Sequence, residues 1–266
     1  MRLIAFAAAA LLAQTQATIV PVHYTDTGGS GVPVVLMHAA TGSVLAWEHQ
    51  TPAFVKAGYR VIAFDRRGWG KSAIDPKNPG TAADDLIALM DSLHIDRFHL
   101  VGTAAGGFVT FDAALSFPSR LRSIVVSNSI GGVQDAEFLA LDQRIRPAEF
   151  RALPPELREV SPSYRAANPE GTKRWIELEK VSRPAGAPPA QPLNNMITFA
   201  RLETVTTPTL LMTGDADMIA PPPILRMFAQ HMKRAETVVV PEAGHSLYWE
   251  QPEAFNQAVL AFIRKH

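Results

Sequence analysis

The residues of this chain best placed to move protons are His245, set between Gly244 and Ser246, and the carboxylates of the turn Thr213-Gly214-Asp215-Ala216-Asp217. His245 follows an apolar run that ends at Val240, and the acids follow the run before it. An imidazole at the carboxyl edge of a sheet, with an acid on the neighbouring edge, can work as a general base and its orienter. Asp215 and Asp217 compete for the second role, although an Asp on the tight turn itself commonly bonds local backbone. The third group of such a site would be a hydroxyl, and it is missing. The run Phe98 to Val101 enters Gly102-Thr103-Ala104-Ala105-Gly106-Gly107, and a helical pattern follows from Phe108 to Leu115. Strand, sharp glycine-bounded turn and helix together hold the central residue up out of the sheet, where a nucleophilic serine usually stands. Here that residue is Ala104. Thr103 belongs to the strand side of the turn, and Ser43 and Ser246 do not stand on it.

Other chemistries are narrowed by composition. The chain has no cysteine, which excludes disulfides, thiolate metal sites and a cysteine nucleophile. No His/Asp/Glu spacing resembles a metal site, and His94 and His99 read as surface or strand-end residues. No metal or other cofactor is expected. Lysine plus arginine and aspartate plus glutamate each number 25, so no charge excess points to nucleic acid or an anionic membrane. The basic cluster Arg144, Arg146, Arg151 and Arg158 is interleaved with Glu149, Glu156 and Glu159, which predicts a solvated face.

The elements that must position these residues follow from the apolar patterning. Val34–Met37, Arg60–Phe64, Phe98–Val101, Ser123–Val126, Thr209–Met212 and Thr237–Val240 are short, near-continuous apolar runs, as expected of parallel strands buried on both faces. Helical patterns lie between them. Thr51 can cap a helix with Pro52 first and Gly58 just past its end. Thr81 and Asp84 make a variant capping box ahead of Leu86, Ile87, Met90 and Leu93. A last helix starts near Pro252 and carries Phe255, Val259, Phe262 and Ile263 on one face. The alternation defines an α/β fold, a doubly wound and mostly parallel sheet. Residues 131–201 break it: no strand is evident, and Phe138, Leu139, Leu141, Phe150, Trp175 and Ile176 supply too much apolar surface for a disordered loop. A mainly helical cap is expected there, after the sixth strand of the core. Residues 18–130 and 202–266 would then form the core itself.

Residues 1–17 read as an address. Arg2 precedes the apolar stretch Leu3–Ala13, and small residues stand at Thr15 and Ala17, the order of a secretory signal peptide cleaved before Thr18. The stretch is too short for a bilayer, which needs about 20 apolar residues. A periplasmic or secreted protein, with no membrane contact after processing, is expected.

Over essentially everything after residue 18 the chain resembles the α/β-hydrolase fold superfamily, most closely its esterase and enol-lactonase branch. Val34-Val35-Leu36-Met37-His38-Ala39-Ala40-Thr41-Gly42-Ser43 looks like the family's strand and oxyanion loop, with Ala39 where glycine is usual. Phe64-Asp65-Arg66-Arg67-Gly68-Trp69-Gly70-Lys71-Ser72 resembles its D-x-R-G-x-G-x-S turn. The turns at Asp217 and His245 resemble its acid and histidine loops, with the turn at Ala104 between in the expected order. The resemblance favours Asp217 over Asp215 as the triad acid. Some members take that acid from the end of the sixth strand, but here Ser127-Asn128-Ser129 offers no carboxylate. The backbone N–H groups of Ala40 and Ala105 would form the oxyanion hole. His38 and Ala39 would border the substrate pocket, with Trp47, Trp69 and Trp175 available to line it.

What the resemblance implies is a hydrolase of a small carboxylic ester or lactone, with a small-molecule substrate as its partner. Ala104 leaves three readings open. A serine was replaced to trap substrate; or alanine is native and His245 acts as base on water or a substrate proton; or the pocket only binds a ligand.

Overall fold

The computed structural model describes residues 22–182 and 190–266. The signal-peptide expectation, cleavage before Thr18 included, lies outside the described residues, as does most of the proline-rich loop that follows Ser182. Seven strands form one sheet: β1 (Tyr24–Asp26), β2 (Pro33–Met37), β3 (Arg60–Phe64), β4 (Phe98–Thr103), β5 (Leu121–Ser127), β6 (Thr209–Gly214) and β7 (Ala235–Val240). Their order is β1-β3-β2-β4-β5-β6-β7, and every pairing is parallel except that of β1 with β3. The six apolar runs are therefore the six parallel strands. The seventh, Tyr24-Thr25-Asp26, is a half-exposed edge with no apolar run to announce it. It is fastened by Asp26, whose carboxylate accepts from Nε and Nη2 of Arg60 at 2.9 and 2.5 Å.

Because side chains alternate along a strand, each run feeds two cores. Val35 and Met37 of β2 enter one cluster with Leu86, Met90, Phe111 and Phe228. Val34 and Leu36 enter the other, with Trp47, Phe54, Phe255 and Val259. The last helix, Pro252–Ile263, starts where expected and has Phe255, Val259, Phe262 and Ile263 all buried. Packing at about 1.5–3 kcal/mol per such side chain holds it, more than intrinsic propensity can. Thr81 caps Ala82–Ser92 by accepting from the N–H of Asp84 at 3.1 Å. The first α-helix runs Gln50–Lys56 with Thr51 inside it, so Thr51 is not its cap. Gln50 extends it backwards, being fully buried and donating to the carbonyl of Tyr248 at 2.7 Å. His94 is exposed, whereas His99 is buried on β4 and bonded to Ser123 at 2.8 Å, and burial pushes its imidazole down to about 4.

Between β5 and β6 the described residues form helices only: Ala136–Ile145, Ala148–Arg151, Pro155–Glu159, Pro162–Ala167, Pro169–Ser182 and Phe199–Leu202. In chain order the strand before them is the fifth, because a single antiparallel strand precedes β2 among the described residues. Two of the expected cap anchors pack into the main cores. Phe138 meets Phe228 edge-on at 5.9 Å, and Trp175 joins the cluster containing Trp47.

The winding places the site. From β2 the chain passes to β3 on one side and then returns to β4 on the other, with Val35 paired to Ile62 and to Leu100. Loops leaving β2 and β4 at their carboxyl ends must diverge there, which opens a crevice at the sheet edge.

Candidate active site

Ala104 occupies that crevice. It sits at φ 50°, ψ −115°, between β4 and helix Ala105–Ser116. A side chain at such a backbone costs of order 1–3 kcal/mol and persists only where its surroundings enforce it. They do so through close approach. A Cβ on Gly106 would lie 2.2 Å from the carbonyl oxygen of Met37, and one on Gly102 2.2 Å from Oγ1 of Thr110. The turn is then clamped by the N–H of Ala104 on the carbonyl of Ser127 at 2.9 Å. Ser129 Oγ completes the clamp, donating to the carbonyl of Ala104 at 2.6 Å.

His245 and Asp217 meet. Nδ1 of His245 lies 3.0 and 2.9 Å from the two carboxylate oxygens of Asp217. Both residues are buried. Oδ1 of Asp217 also accepts from the N–H groups of Ile219 and Ala220 at 2.7 and 2.9 Å. Its Oδ2 accepts from Nδ2 of Asn128 at 2.9 Å. Burial alone would push the Asp217 carboxyl up, but the charge and hydrogen bond of His245, with these donors, hold it below the usual carboxylate range. Burial would likewise push His245 down; the Asp217 charge and hydrogen bond, joined by the charge of Glu159, outweigh it and leave the imidazole raised. Asp215 is exposed, and its Oδ1 accepts from the N–H of Glu242 at 2.6 Å. It is a turn residue.

Asn128 went unnoticed in the sequence beyond its lack of a carboxylate. Its amide joins the two loops of the pair, donating to Gly244 O at 3.0 Å as well as to Asp217. The fit depends on φ 52°, a backbone that asparagine tolerates better than most residues.

The loop after β2 is braced from below. His38 is fully buried; its Nδ1 donates to the carbonyl of Ala39 at 2.7 Å while Nε2 accepts from the N–H of Arg66 at 3.0 Å. Nε2 accepts and so carries no proton, and burial, then the charge of Arg66, pushes the pKa of the ring well down. Trp69 Nε1 donates to the carbonyl of Ala40 at 2.7 Å, and Thr41 Oγ1 to Oε2 of Glu159 at 2.7 Å. Among the described residues, the N–H groups of Ala40 and Ala105 donate to no protein acceptor.

Ala40, Ala104, Ala105 and His245 line one cavity of about 160 Å³, with Phe108, Asn128, Ile130, Ile219, Arg146, Arg158 and Glu159. The five residues expected to border or line the pocket are absent from its wall, Trp69 being spent on the carbonyl of Ala40. His38 and Ala39 face inward as the brace just described, Trp47 is packed against Tyr248, and Trp175 donates through Nε1 to Ser246 Oγ at 3.1 Å. The two indole rings serve the core. The solvated face expected of the arginine cluster holds for Arg144, Glu149 and Arg151, which are exposed, but not for Arg146, Arg158 and the buried Glu159, which border the cavity. Among the described residues no cluster of His, Asp and Glu could hold a metal ion, and no helix is long and apolar enough to cross a membrane.

Sheet order, strained turn and acid–histidine pair define the class. Residues 34–258 match the model of the alpha/beta hydrolase family, and the chain belongs to that family. Among curated proteins it is similar to a candidate carbamate hydrolase, RutD, of Caulobacter sp. (strain K31), 31% identical over 247 residues, covering 86% of this chain and 90% of the relative. It is also similar to a 2-hydroxy-6-oxononadienedioate/2-hydroxy-6-oxononatrienedioate hydrolase of Burkholderia vietnamiensis (strain G4 / LMG 22486), 28% identical, covering 92% and 91%. Among solved structures, a thermophilic esterase from Thermogutta terrifontis, described as malate bound, superimposes with a TM-score of 0.76 at 27% identity, covering 92% and 93% of the two chains. The family places the chain in the hydrolase class of enzymes, and the relatives named here are hydrolases of small molecules.

Proposed function

We propose that this protein hydrolyses a small carboxylic ester or lactone with water as the direct nucleophile, His245 as general base and Asp217 as its orienter. The observation that carries the reading is that His245, hydrogen-bonded to Asp217, opens onto the same small cavity as Ala104 and the undonated N–H groups of Ala40 and Ala105. Nε2 of His245 takes a proton from water as the hydroxide adds to the acyl carbon. The carbonyl oxygen becomes an oxyanion held by the two N–H groups. As the carbon–oxygen bond breaks, the imidazolium returns its proton to the leaving alkoxide. No acyl-enzyme forms, since Ala104 has no hydroxyl. The rate should therefore resemble that of triads stripped of their serine, roughly 10³–10⁴ over water. The esterase relative supports the ester class, and the strain kept at Ala104 supports a site still shaped for acyl transfer.

The test is Ala104→Ser. Ester hydrolysis should rise by several orders of magnitude, because losing the serine from such an arrangement costs about 10⁶ in kcat. Position 104 should also label with a fluorophosphonate, and His245→Ala should abolish both effects. A folded serine variant that neither labels nor hydrolyses short-chain esters and lactones would sink the acyl-transfer reading. We further infer export, on the charge and apolar order of residues 2–17. Periplasmic material from a Gram-negative host should begin at Thr18, and an intact Met1 would refute it.

A further inference from the structure

Two guanidinium groups border the cavity without a part in the chemistry above: Arg146, just past helix Ala136–Ile145, and Arg158, on helix Pro155–Glu159. Arg158 spends Nε on the carbonyl of Leu153 at 3.0 Å; among the described residues its terminal nitrogens meet no acceptor. Arg146 pairs with Asp142, while its Nε is buried without a partner. Asp142 is shared, since Arg151 holds its other oxygen at 3.0 Å. One carboxylate thus serves two guanidiniums, and a positive excess remains. Glu159 does not cancel it. It is a single carboxyl beside two guanidiniums, its Oε2 already accepts from Thr41, and burial pushes its pKa up. Most of the remaining wall, Ala104, Phe108, Ile130 and Ile219 among it, is apolar. Positive charge beside an apolar cleft is costly unless something pairs with it, and the guanidinium fork matches a planar carboxylate.

We propose that Arg146 and Arg158 form a subsite for a carboxylate carried by the substrate, so that the ester or lactone processed here is a small anionic one. This rests on the hydrolase reading for the reaction but not for the binding. The cavity, about 160 Å³, compares with one of about 150 Å³ that takes up benzene, so a short chain must separate the carboxylate from the scissile carbonyl.

Binding separates the two claims. Calorimetry on the full chain would compare 5-oxohexanoate, a ketone that cannot be hydrolysed, with its uncharged amide and with inorganic phosphate. The carboxylate should bind at least about tenfold more tightly than the amide, and Arg158→Gln should remove roughly 10- to 100-fold of its affinity, as for a hydrogen-bonded charge pair. Arg158→Lys should keep part of it and shows that the fold tolerates change there; Arg146→Gln gives a second, independent loss. Equal affinity for acid and amide, no measurable binding of the acid, or an unchanged affinity in Arg158→Gln would overturn the subsite. Phosphate binding as tightly as the ketoacid would overturn its assignment to a carboxylate. Selective binding of the ketoacid, with no hydrolysis of monomethyl glutarate by the chain or by Ala104→Ser, would uphold the subsite and overturn the hydrolase reading alone.

Discussion

Asn128 supplies the sharpest stability test, because replacing it by glycine and by alanine should rank the two against the usual order. Its Nδ2 donates to the Asp217 carboxylate at 2.9 Å, a charged bond of about 1.5–3 kcal/mol. The same nitrogen donates to Gly244 O at 3.0 Å, and Oδ1 accepts from Ser127 Oγ, neutral bonds of about 0.5–1.5 kcal/mol each. These share atoms and do not add fully, so Asn128→Gly should cost about 3 kcal/mol. At φ 52° alanine carries a further penalty of about 1 kcal/mol that glycine escapes. Alanine should therefore be the less stable variant, although in ordinary strand or helix positions it beats glycine by roughly 0.5–1 kcal/mol. Urea unfolding followed by tryptophan fluorescence measures both, and thermal midpoints should fall by about 6–12 °C for the glycine variant. A glycine variant within 1 kcal/mol of the parent, or alanine as stable as glycine, would refute the role given to the amide.

The His245–Asp217 pair sets a pH window. Since the imidazole is raised, its part of the stability is full below its ordinary value near 6.5 and lost as pH climbs through the folded-state value. The Asp217 carboxyl is lowered, so its part is present above its ordinary value near 3.8 and lost as pH falls through the folded-state value. Imidazole NMR should place the His245 midpoint above 6.5, and Asp217→Asn should move it toward acid; an unmoved midpoint contradicts the pairing. Gly106→Ala should destabilise by about 1–3 kcal/mol or more, because its Cβ meets backbone oxygens of Met37 and His38 at 2.2 and 2.9 Å; unchanged urea unfolding would count against the close approach. Thr81→Ala should cost about 1 kcal/mol by the same assay, and a neutral result would show that its bond to Asp84 contributes nothing.

What the sequence made legible is what local pattern controls. Parallel strands buried on both faces must be apolar throughout, so β2 to β6 announce themselves. β1 is three residues at an edge, held by one ion pair to Arg60, and leaves no pattern. The meeting of His245 with Asp217 was legible because each follows its own strand into adjacent loops. Asn128 was not, since an amide that bonds the Asp217 carboxylate on one loop and the Gly244 carbonyl on another looks in sequence like any polar strand end. Arg146, Arg158 and Glu159 read as a solvated face because alternating charge usually is one; only the fold of the inserted helices turns them onto the cavity. Trp47 and Trp175 misled for the opposite reason. A large ring is equally suited to a pocket and a core, and volume alone does not choose.

The cavity wall draws on residues from Ala40 to His245, contributed by the loops of nearly every parallel strand and by the inserted helices. No contiguous segment owns it. A ligand seated there can therefore recognise only a chain whose sheet is completely assembled, and its binding energy is linked to the global unfolding equilibrium. At a hundred times its Kd it would add about 2.7 kcal/mol to the stability of the whole sheet. Amide exchange should then slow together along β4, β5 and β6, including at their amino ends, which lie away from the cavity wall, so that protection of the central strands becomes a reporter for screening ligands before any turnover is known.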